Sequence, residues 1–243
     1  MGLDDRDALR VLQTAFDPKY RSDELIRQFY THWFAIDTGV RDLFPPDLDH
    51  QRAVFGEAMH WVLGELVAQR ADAPVAFLAQ LGRDHRKYGV REQHYVTMRR
   101  AWYNTMRHGL AAQWNAAVDD AARQAINLIA GVMSGAADAE AGPPWWDGTV
   151  LEHHRVSRDI AVVRLRLDQA MPYHPGQYVN VQIPQRPRRW RYLSPAMPSD
   201  PNGYIEFHVR SVPGGMVSTT IVGETRPGDR WRLSSPHGGL HVD

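Results

Sequence analysis

Apolar residues follow two different spacings along the chain, helical in the first part and strand-like in the second. In the first part they recur every three or four positions, which predicts amphipathic helices. Ser22 stands where the N-cap of the first such segment is expected. The pattern predicts an all-α domain that is not a heptad bundle. The helices are expected over residues 23–34, 51–70, 74–86 and 92–107, with a long one after Trp114.

After the Ala-Gly-Pro-Pro stretch at 141–144, short segments rich in β-branched and aromatic residues are separated by glycine and proline. In residues 164–167, Arg-Leu-Arg-Leu, polar and apolar side chains alternate, as is typical of a strand with one buried face. These features predict an antiparallel barrel or sandwich. Strands are expected over 149–156, 160–167, 177–183 and 204–210, and the domains over 1–141 and 149–243 with a linker at 142–148.

The amino-acid composition excludes several kinds of functional site and partner. The 243 residues contain no cysteine, which excludes disulfides, thiolate catalysis, zinc–thiolate sites and iron–sulfur clusters. The formal net charge of zero gives no reason to expect a nucleic-acid or anionic-membrane partner. The start of the sequence is acidic and has no apolar signal region, and no apolar run is long enough to span a bilayer. We therefore expect a cytoplasmic protein.

His85 is the candidate metal ligand, because without cysteine a soft ligand has to be histidine or methionine. It extends the apolar series Phe77 and Leu81 at intervals of four residues. A buried imidazole needs partners for both nitrogens, and an iron ion and a backbone carbonyl would supply them. The series by itself favours a buried structural histidine, so both interpretations stay open at this point.

The surroundings of His85 carry a family resemblance. The segment Leu-Gly-Arg-Asp-His-Arg-Lys-Tyr-Gly-Val at 81–90, followed by Tyr95, resembles the proximal side of the haem pocket in flavohaemoglobins and their single-domain bacterial relatives. The resemblance implies a globin fold for residues 1–141 and haem b as its cofactor. It also implies that His85 ligates the iron, that Val90 contacts the haem and that Tyr95 orients His85.

The distal side shows the same resemblance. Tyr30 ends a Gln-Phe-Tyr segment, Phe44 lies within Asp-Leu-Phe-Pro, and Gln51 is followed by Phe55. The resemblance implies that Phe44 and Phe55 contact the haem and that the Tyr30 hydroxyl donates to bound dioxygen, as a donor in an oxyanion hole does. Gln51 would support Tyr30 or hold a water molecule, and His50 is an alternative in that role.

The proximal side departs from the family pattern. In flavohaemoglobins a tyrosine and a glutamate form a hydrogen-bonded relay to the proximal histidine. Tyr95 matches the tyrosine, but Ala137 stands where the glutamate is expected. Asp138 and Glu140 are near but out of register, and Asp84 replaces a basic residue. We therefore expect an incomplete relay, a raised haem potential and slower turnover.

Three further segments, in order, resemble the FAD-binding barrel of the ferredoxin-reductase family. They are His-Pro-Gly-Gln-Tyr-Val at 174–179, Arg-Tyr-Leu-Ser at 191–194 and Gly-Gly-Met-Val-Ser-Thr at 214–219. Arginine binds a pyrophosphate through forked donors, and glycines let helix N–H groups approach phosphate. Taken singly, the arginines at 186–191 could be a solvated loop and the glycines an ordinary turn. The implied FAD contacts are Tyr178, Arg191, Tyr192, Leu193, Ser194, Gly214, Gly215, Val217 and Ser218.

The barrel also departs from its family. Leu193 stands where a tyrosine stacks on the flavin, so Tyr192 or Tyr178 would have to supply part of that contact. The sequence ends at Asp243, directly after the strand that usually closes the barrel. We therefore expect the NAD(P)H-binding domain to be missing, either through truncation or because a separate reductase supplies it.

The combined resemblance implies a flavohaem enzyme of the nitric oxide dioxygenase type. Hydride would pass from NAD(P)H to FAD, electrons would pass to haem, and nitric oxide and dioxygen would give nitrate. The catalytic side chains would be Tyr30, Gln51 and Tyr95. One alternative is a carrier or sensor of oxygen or nitric oxide with a weak or vestigial flavin domain. Another is a flavohaem oxidoreductase that uses a different electron donor or acts on peroxides.

Overall fold

A computed structural model describes residues 3–17, 19 and 22–238. The chain divides into two compact units, Met1–Glu140 and Ala141–Asp243. Each unit has its own hydrophobic core. The first is helical and the second is built on a β-sheet, which confirms the predicted fold class.

The five predicted helices of the first unit are close to those observed, whereas the helix Leu3–Ala15 was not predicted. Asn115 caps the last helix, because its side-chain oxygen accepts a hydrogen bond from the Val118 N–H at 3.0 Å. Ser22 is the first helical residue of its segment, and the residue before it lies outside the described part of the chain. The helices are α1 (Leu3–Ala15), α2 (Ser22–Ile36), α3 (Asp49–Val67), α4 (Asp72–His85), α5 (Glu92–Gly109) and α6 (Ala116–Ala139).

The core of this unit brings aromatic residues from separate helices together. Phe16 and Trp102 stack with ring centroids 6.3 Å apart, and Phe16 also meets Phe55 edge-on. Trp102 is 1% exposed. Such contacts fix the helices relative to one another, since a well-packed interior resists changes in volume.

Helix α4 approaches α6 closely at Gly82. A Cβ atom on Gly82 would lie 2.1 Å from the carbonyl oxygen of Met133, so only glycine fits at this position. Gly82 lies three residues before His85 on the same helix. The close approach therefore sets the position of the last turn of α4, which carries His85.

The second unit is an antiparallel six-stranded sheet with the strand order β4-β3-β6-β1-β2-β5. Pro195, just after β4, forms a bridge with Phe207 of β5, and this contact joins the two edge strands into a nearly closed barrel. The predicted alternation in β2 is confirmed, because Leu165 and Leu167 are buried. The strands are β1 (Trp146–Arg155), β2 (Ile160–Leu167), β3 (Val179–Gln182), β4 (Arg191–Leu193), β5 (Tyr204–Arg210) and β6 (Arg230–Leu233), and helix α7 (Met216–Glu224) follows β5.

Three strand predictions need correction. β1 begins at Trp146, inside the segment 142–148 that was expected to be a linker, because Trp146 is 5% exposed and packs in the barrel core. β3 is shorter than the predicted 177–183. The strands β4 and β6 were not predicted, since they are only three and four residues long and are rich in arginine. Each of these strands has too few apolar residues for a periodic pattern to be recognised in the sequence.

Within the described residues, no helix combines the length and the apolar character that a membrane crossing requires.

Candidate functional site

His85 is the last residue of α4, and one nitrogen of its ring is already engaged. Its Nδ1 atom lies 2.7 Å from the carbonyl oxygen of Leu81, one turn earlier. A carbonyl only accepts hydrogen bonds, so Nδ1 carries the hydrogen. Burial lowers the pKa of His85, which favours the neutral ring. In this form Nε2 keeps its lone pair, as an iron ligand must.

The apolar series that led to His85 is partly wrong. Phe77 is 37% exposed and packs edge-on against Trp61 of α3, while its neighbour Leu78 is buried. Positions eight residues apart on an α-helix differ by about 80° around the axis. Phe77 therefore lies at the edge of the face that carries His85, and Leu78 and Leu81 form the apolar face instead.

The end of this segment depends on one glycine. A short 3₁₀ turn, Arg86–Tyr88, follows α4 and ends at Gly89, whose φ of 77° lies in the left-handed region. Glycine adopts this conformation without steric cost. The turn redirects the chain so that Val90 packs against the helical core.

Tyr30 and Gln51 come together although α2 and α3 are separated by more than ten residues. Tyr30 is 3% exposed. Burial raises the pKa of Tyr30 to about 12, and a hydrogen bond with the Gln51 side chain opposes this rise. The phenol is therefore neutral at physiological pH and able to donate a hydrogen bond. His50, the alternative to Gln51, is exposed.

Aromatic rings surround the Tyr30 side chain. Phe44 meets the Tyr30 ring edge-on at 5.5 Å and Phe55 at 6.0 Å. Both phenylalanines pack against the core of the helical unit. The three side chains predicted from separate sequence segments therefore form one cluster.

Tyr95 is buried on α5 with a hydroxyl group that has no hydrogen-bond partner among the described residues. Burial raises the pKa of Tyr95 to about 12, and the negative charge of Asp138 adds to this. Asp138 lies near the end of α6, is exposed and makes no hydrogen bond with Tyr95. The position expected for a glutamate holds Ala137. The described residues thus provide no carboxylate bonded to Tyr95.

Replacing Tyr95 by phenylalanine is expected to raise the free energy of unfolding by about 1 kcal/mol, because a buried hydroxyl without a partner destabilises the folded state. Urea denaturation measures this. Tyr103 on the same helix is the matched control, since its hydroxyl is 2.5 Å from Asp119 and 2.6 Å from Arg123. Tyr103→Phe should leave stability unchanged or lower it. A loss in Tyr95→Phe would mean that its hydroxyl is bonded in solution.

In the barrel, strand register decides which predicted flavin residues share a face. Val179 pairs with Leu193, and Asn180 pairs with Tyr192. Neighbouring residues of a strand point to opposite faces. Leu193 packs against the barrel core, whereas Tyr192 is 64% exposed. Tyr192 therefore lies on the face opposite to Leu193, which is the face that also carries Tyr178, and its contact with flavin stays a prediction.

Tyr192 instead packs with Tyr178. Their ring centroids are 5.1 Å apart and the rings are nearly perpendicular. Tyr178 is 36% exposed, so part of its ring is open to contact. Arg191 and Ser194, at the ends of the same short strand, are exposed as well. The pair Tyr178 and Tyr192 is the aromatic surface on this edge of the sheet.

The glycine segment precedes helix α7. Gly214 has a φ of 75°, and Gly215 is the N-cap. A Cβ atom on Gly215 would lie 2.7 Å from the Ser218 hydroxyl oxygen, which accepts a hydrogen bond from the Val212 N–H at 3.2 Å. Val217 is buried, at the second position of the helix. The segment thus forms a tight turn that opens onto the N–H groups of a helix start, as phosphate binding requires.

The residues present fit both cofactor groups. A neutral His85 with Nδ1 engaged suits haem iron, and the buried Tyr30 provides a donor. The tight glycine turn at 214–215 and the exposed Tyr178 suit a dinucleotide. His237 and Gly238 also lie against Tyr178, and the sequence offered no motif that would have identified them. No cluster of three or more potential metal-binding carboxylates or imidazoles occurs in the described residues.

Comparison with known proteins supports this division. Residues 27–133 match the family model of globins, and residues 147–242 match that of the oxidoreductase FAD-binding domain. The chain therefore contains a globin domain followed by an FAD-binding oxidoreductase domain. This arrangement, and the haem and FAD cofactor classes that go with it, are those of the flavohaemoglobins, as predicted.

Curated relatives match part of the chain. The phenol hydroxylase P5 protein of Acinetobacter pittii is 33% identical over 97 residues, which are 40% of this chain and 27% of that protein. The ferredoxin–NAD(P)⁺ reductase component of the naphthalene 1,2-dioxygenase system of Pseudomonas putida is 36% identical over 96 residues, 39% of this chain and 28% of that protein. The chain spans little more than a quarter of the length of these relatives.

Among solved structures, the flavohaemoglobin of Malassezia yamatoensis, which has bound FAD and haem, is similar over 99% of this chain and 65% of its own. The TM-score is 0.72 and the sequence identity 16%. This similarity shows the fold.

Proposed function

We propose that the chain is a haem- and FAD-dependent oxidoreductase that converts nitric oxide and dioxygen to nitrate. One nitric oxide, one dioxygen and one electron give one nitrate ion, so a hydride from NAD(P)H supplies enough electrons for two. When bound, haem supplies the dioxygen-binding centre and FAD divides the hydride into single electrons.

The observation that carries the proposal is the hydrogen bond from His85 Nδ1 to the Leu81 carbonyl. It fixes the tautomer and the direction of the ring, and it makes Nε2 the free donor to iron. The His85 side chain is half-buried, and the Tyr88 ring meets the imidazole edge-on at 5.7 Å. The ring is thus held on one side while Nε2 is the nitrogen that would bind iron.

Tyr30 and Gln51 act on the distal side. The Gln51 side chain holds the Tyr30 phenol by a hydrogen bond. The neutral phenol donates its hydrogen to dioxygen, which stabilises the negative charge that develops there. The ring of Phe44 restricts the movement of Tyr30.

Tyr30→Phe is therefore expected to speed the release of dioxygen by about two- to tenfold, because the variant loses one neutral hydrogen bond to the bound dioxygen. Stopped-flow measurement of dioxygen dissociation from the reduced globin domain tests this. Tyr103→Phe, a half-buried position on α5 whose hydroxyl bonds Asp119, is the control and should leave the rate unchanged. Equal rates for Tyr30→Phe and the unchanged protein would remove Tyr30 from the distal role.

On the flavin side, Arg191 would bind the pyrophosphate through its forked donors, and Ser194 would hydrogen-bond the edge of the flavin ring. The backbone N–H groups of Val217 and Ser218 would bind phosphate at the start of α7. Leu193 packs into the barrel, so the stacking contact would come from Tyr178 or Tyr192, whose rings meet edge-on at 5.1 Å.

The test is nitrate formation by the chain loaded with haem and FAD. The protein is reduced chemically, exposed to dioxygen and given nitric oxide, and nitrate is measured. Nitrate in proportion to nitric oxide, together with a Soret band and a flavin absorption shoulder, supports the proposal. A protein that holds both cofactors and gives no nitrate in the reduced state would contradict it.

A second candidate, a carrier or sensor of dioxygen or nitric oxide, is favoured by one observation. The Tyr95 hydroxyl has no partner in the described residues, and Ala137 provides no carboxylate to complete a relay. Without that relay, His85 has less anionic character and activates dioxygen less. Reversible dioxygen binding without nitrate formation would favour the carrier.

A further inference from the structure

The Tyr178 ring is held from three directions. Tyr192 meets it edge-on at 5.1 Å, and the His237 ring lies 5.7 Å away. Gly238 lies so close that a Cβ there would be 3.4 Å from Tyr178 Cε1. A ring enclosed in this way loses little freedom when a ligand binds to its remaining open part.

The backbone joins the same residues. The Tyr178 N–H donates to the His237 carbonyl at 3.0 Å, and the His237 N–H donates to the Tyr178 carbonyl at 2.7 Å. These two hydrogen bonds extend the pairing of β3 with β6 beyond the ends of the strands. The two backbone hydrogen bonds therefore fix the position of His237 relative to that of Tyr178.

A hydrogen-bond network fixes the direction of the His237 ring. The Ser234 hydroxyl donates its one hydrogen to the Ser235 carbonyl at 2.8 Å and accepts from the Asn180 N–H at 2.9 Å. His237 Nε2 lies 3.1 Å from the same oxygen. Because the hydroxyl hydrogen is already used, Nε2 carries a hydrogen and donates it to Ser234. The imidazole is thus anchored at the end away from its backbone.

The network is buried where an ordinary barrel would hold apolar side chains. Ser234, Asn180 and His237 are 2%, 3% and 8% exposed. The Asn180 Nδ2 atom has no hydrogen-bond partner among the described residues. Burying polar groups with unmet hydrogen bonds costs stability, so their presence below an exposed aromatic pair points to a positioning role.

We propose that His237 is a positioning residue for FAD. Anchored to Ser234, it holds the Tyr178 ring in the orientation that receives the flavin, and it offsets the loss of the stacking tyrosine at Leu193. The inference rests on the proposed function, since it takes Tyr178 as an FAD contact.

The test compares FAD binding by His237→Ala and His237→Gln with that of the unchanged full chain. Titration with FAD, followed by flavin fluorescence and visible circular dichroism, gives the dissociation constant and the environment of the ring. His237→Ala is expected to weaken binding about tenfold and to change the dichroism of the bound flavin. His237→Gln keeps a donor for Ser234 and should recover most of the affinity. His154→Ala, an exposed position on β1, is the control.

A double-mutant cycle separates positioning from general loss of structure. If His237 acts through Tyr178, the combined variant Tyr178→Ala/His237→Ala should bind FAD no more weakly than Tyr178→Ala alone. If the losses of FAD affinity in the two single variants add in the combined variant, the inference is overturned and the proposed function still stands. The same holds if His237→Ala binds FAD as tightly as the unchanged chain. A drop in the unfolding midpoint of His237→Ala that matches its loss of affinity would also overturn it.

If the unchanged chain binds no flavin, FAD dependence itself is refuted. A measurement without FAD still tests whether His237 positions the Tyr178 ring. Fluorotyrosine is incorporated, and the Tyr178 resonance is assigned by its loss in Tyr178→Phe. His237→Ala should shift and broaden this resonance, while His154→Ala should leave it in place. An unmoved resonance in His237→Ala would refute the positioning role.

Discussion

Replacing His85 by alanine is expected to abolish haem incorporation, with loss of the Soret band in protein purified under haem-replete conditions. His85 is the proposed iron ligand, with its Nδ1 engaged by Leu81 and its Nε2 available to the metal. Removal of the ligand leaves haem held by apolar contacts alone. The experiment measures absorbance per mole of protein before and after the substitution.

A matched control exists on α5. The Nδ1 atom of His108 lies 2.6 Å from the Asn104 carbonyl, the same contact with the residue four positions earlier, but His108 is exposed. His108→Ala should retain haem in full. A His85→Gly variant adds a second readout, because free imidazole in the buffer should restore the Soret band. An unchanged ferrous spectrum in His85→Ala would show that the ligand was assigned wrongly.

Replacing Gly82 by alanine is expected to lower the free energy of unfolding of the globin domain by at least about 2 kcal/mol. The added methyl group would lie 2.1 Å from the Met133 carbonyl oxygen, so α4 and α6 would have to move apart. The expected loss of stability exceeds the gain of about 1 kcal/mol that replacing glycine by alanine normally gives in a helix interior. Displacement of α4 should also weaken haem binding, because His85 is on its last turn.

Two glycines of α6 provide the comparison. Gly131 and Gly135 have no atom within 4 Å of the position of an added Cβ. Gly131→Ala and Gly135→Ala should therefore raise stability by up to about 1 kcal/mol each. Urea denaturation of the three variants measures the difference. If Gly82→Ala were as stable as the two controls, the close approach of α4 to α6 would not exist in solution.

The sequence pattern was most reliable where a long element buries one face. The β2 strand was predicted at its observed bounds because the alternation in residues 164–167 leaves a single register with the apolar side inward. The pattern failed for β4 and β6, which are held in the sheet by their neighbours rather than by their own periodicity. It also failed at Phe77, where the spacing was helical but the side chain lies at the edge of the face.

At the candidate sites, too, the sequence pattern did not predict which side chains meet. The order of Tyr30, Gln51 and His85 along the chain was enough to suggest a haem pocket, but only the packing of α2 against α3 joins Tyr30 to Gln51. In the barrel, sequence neighbours suggested that Tyr192 could replace a side chain at Leu193. The strand register places Tyr192 on the face opposite to Leu193, beside Tyr178, because adjacent residues of a strand point to opposite faces.

The sequence by itself determined the two-domain order, the absence of cysteine chemistry and the identity of His85 as the candidate ligand. These follow from composition, periodicity and motif order, which are local properties. The tertiary structure decided which partner each side chain meets: Leu81 for His85, Gln51 for Tyr30, and His237 and Gly238 for Tyr178. It also left the Tyr95 hydroxyl without a hydrogen-bond partner among the residues that the structure describes. The physical reason is that hydrogen bonds and ring contacts between distant segments depend on helix packing and strand register.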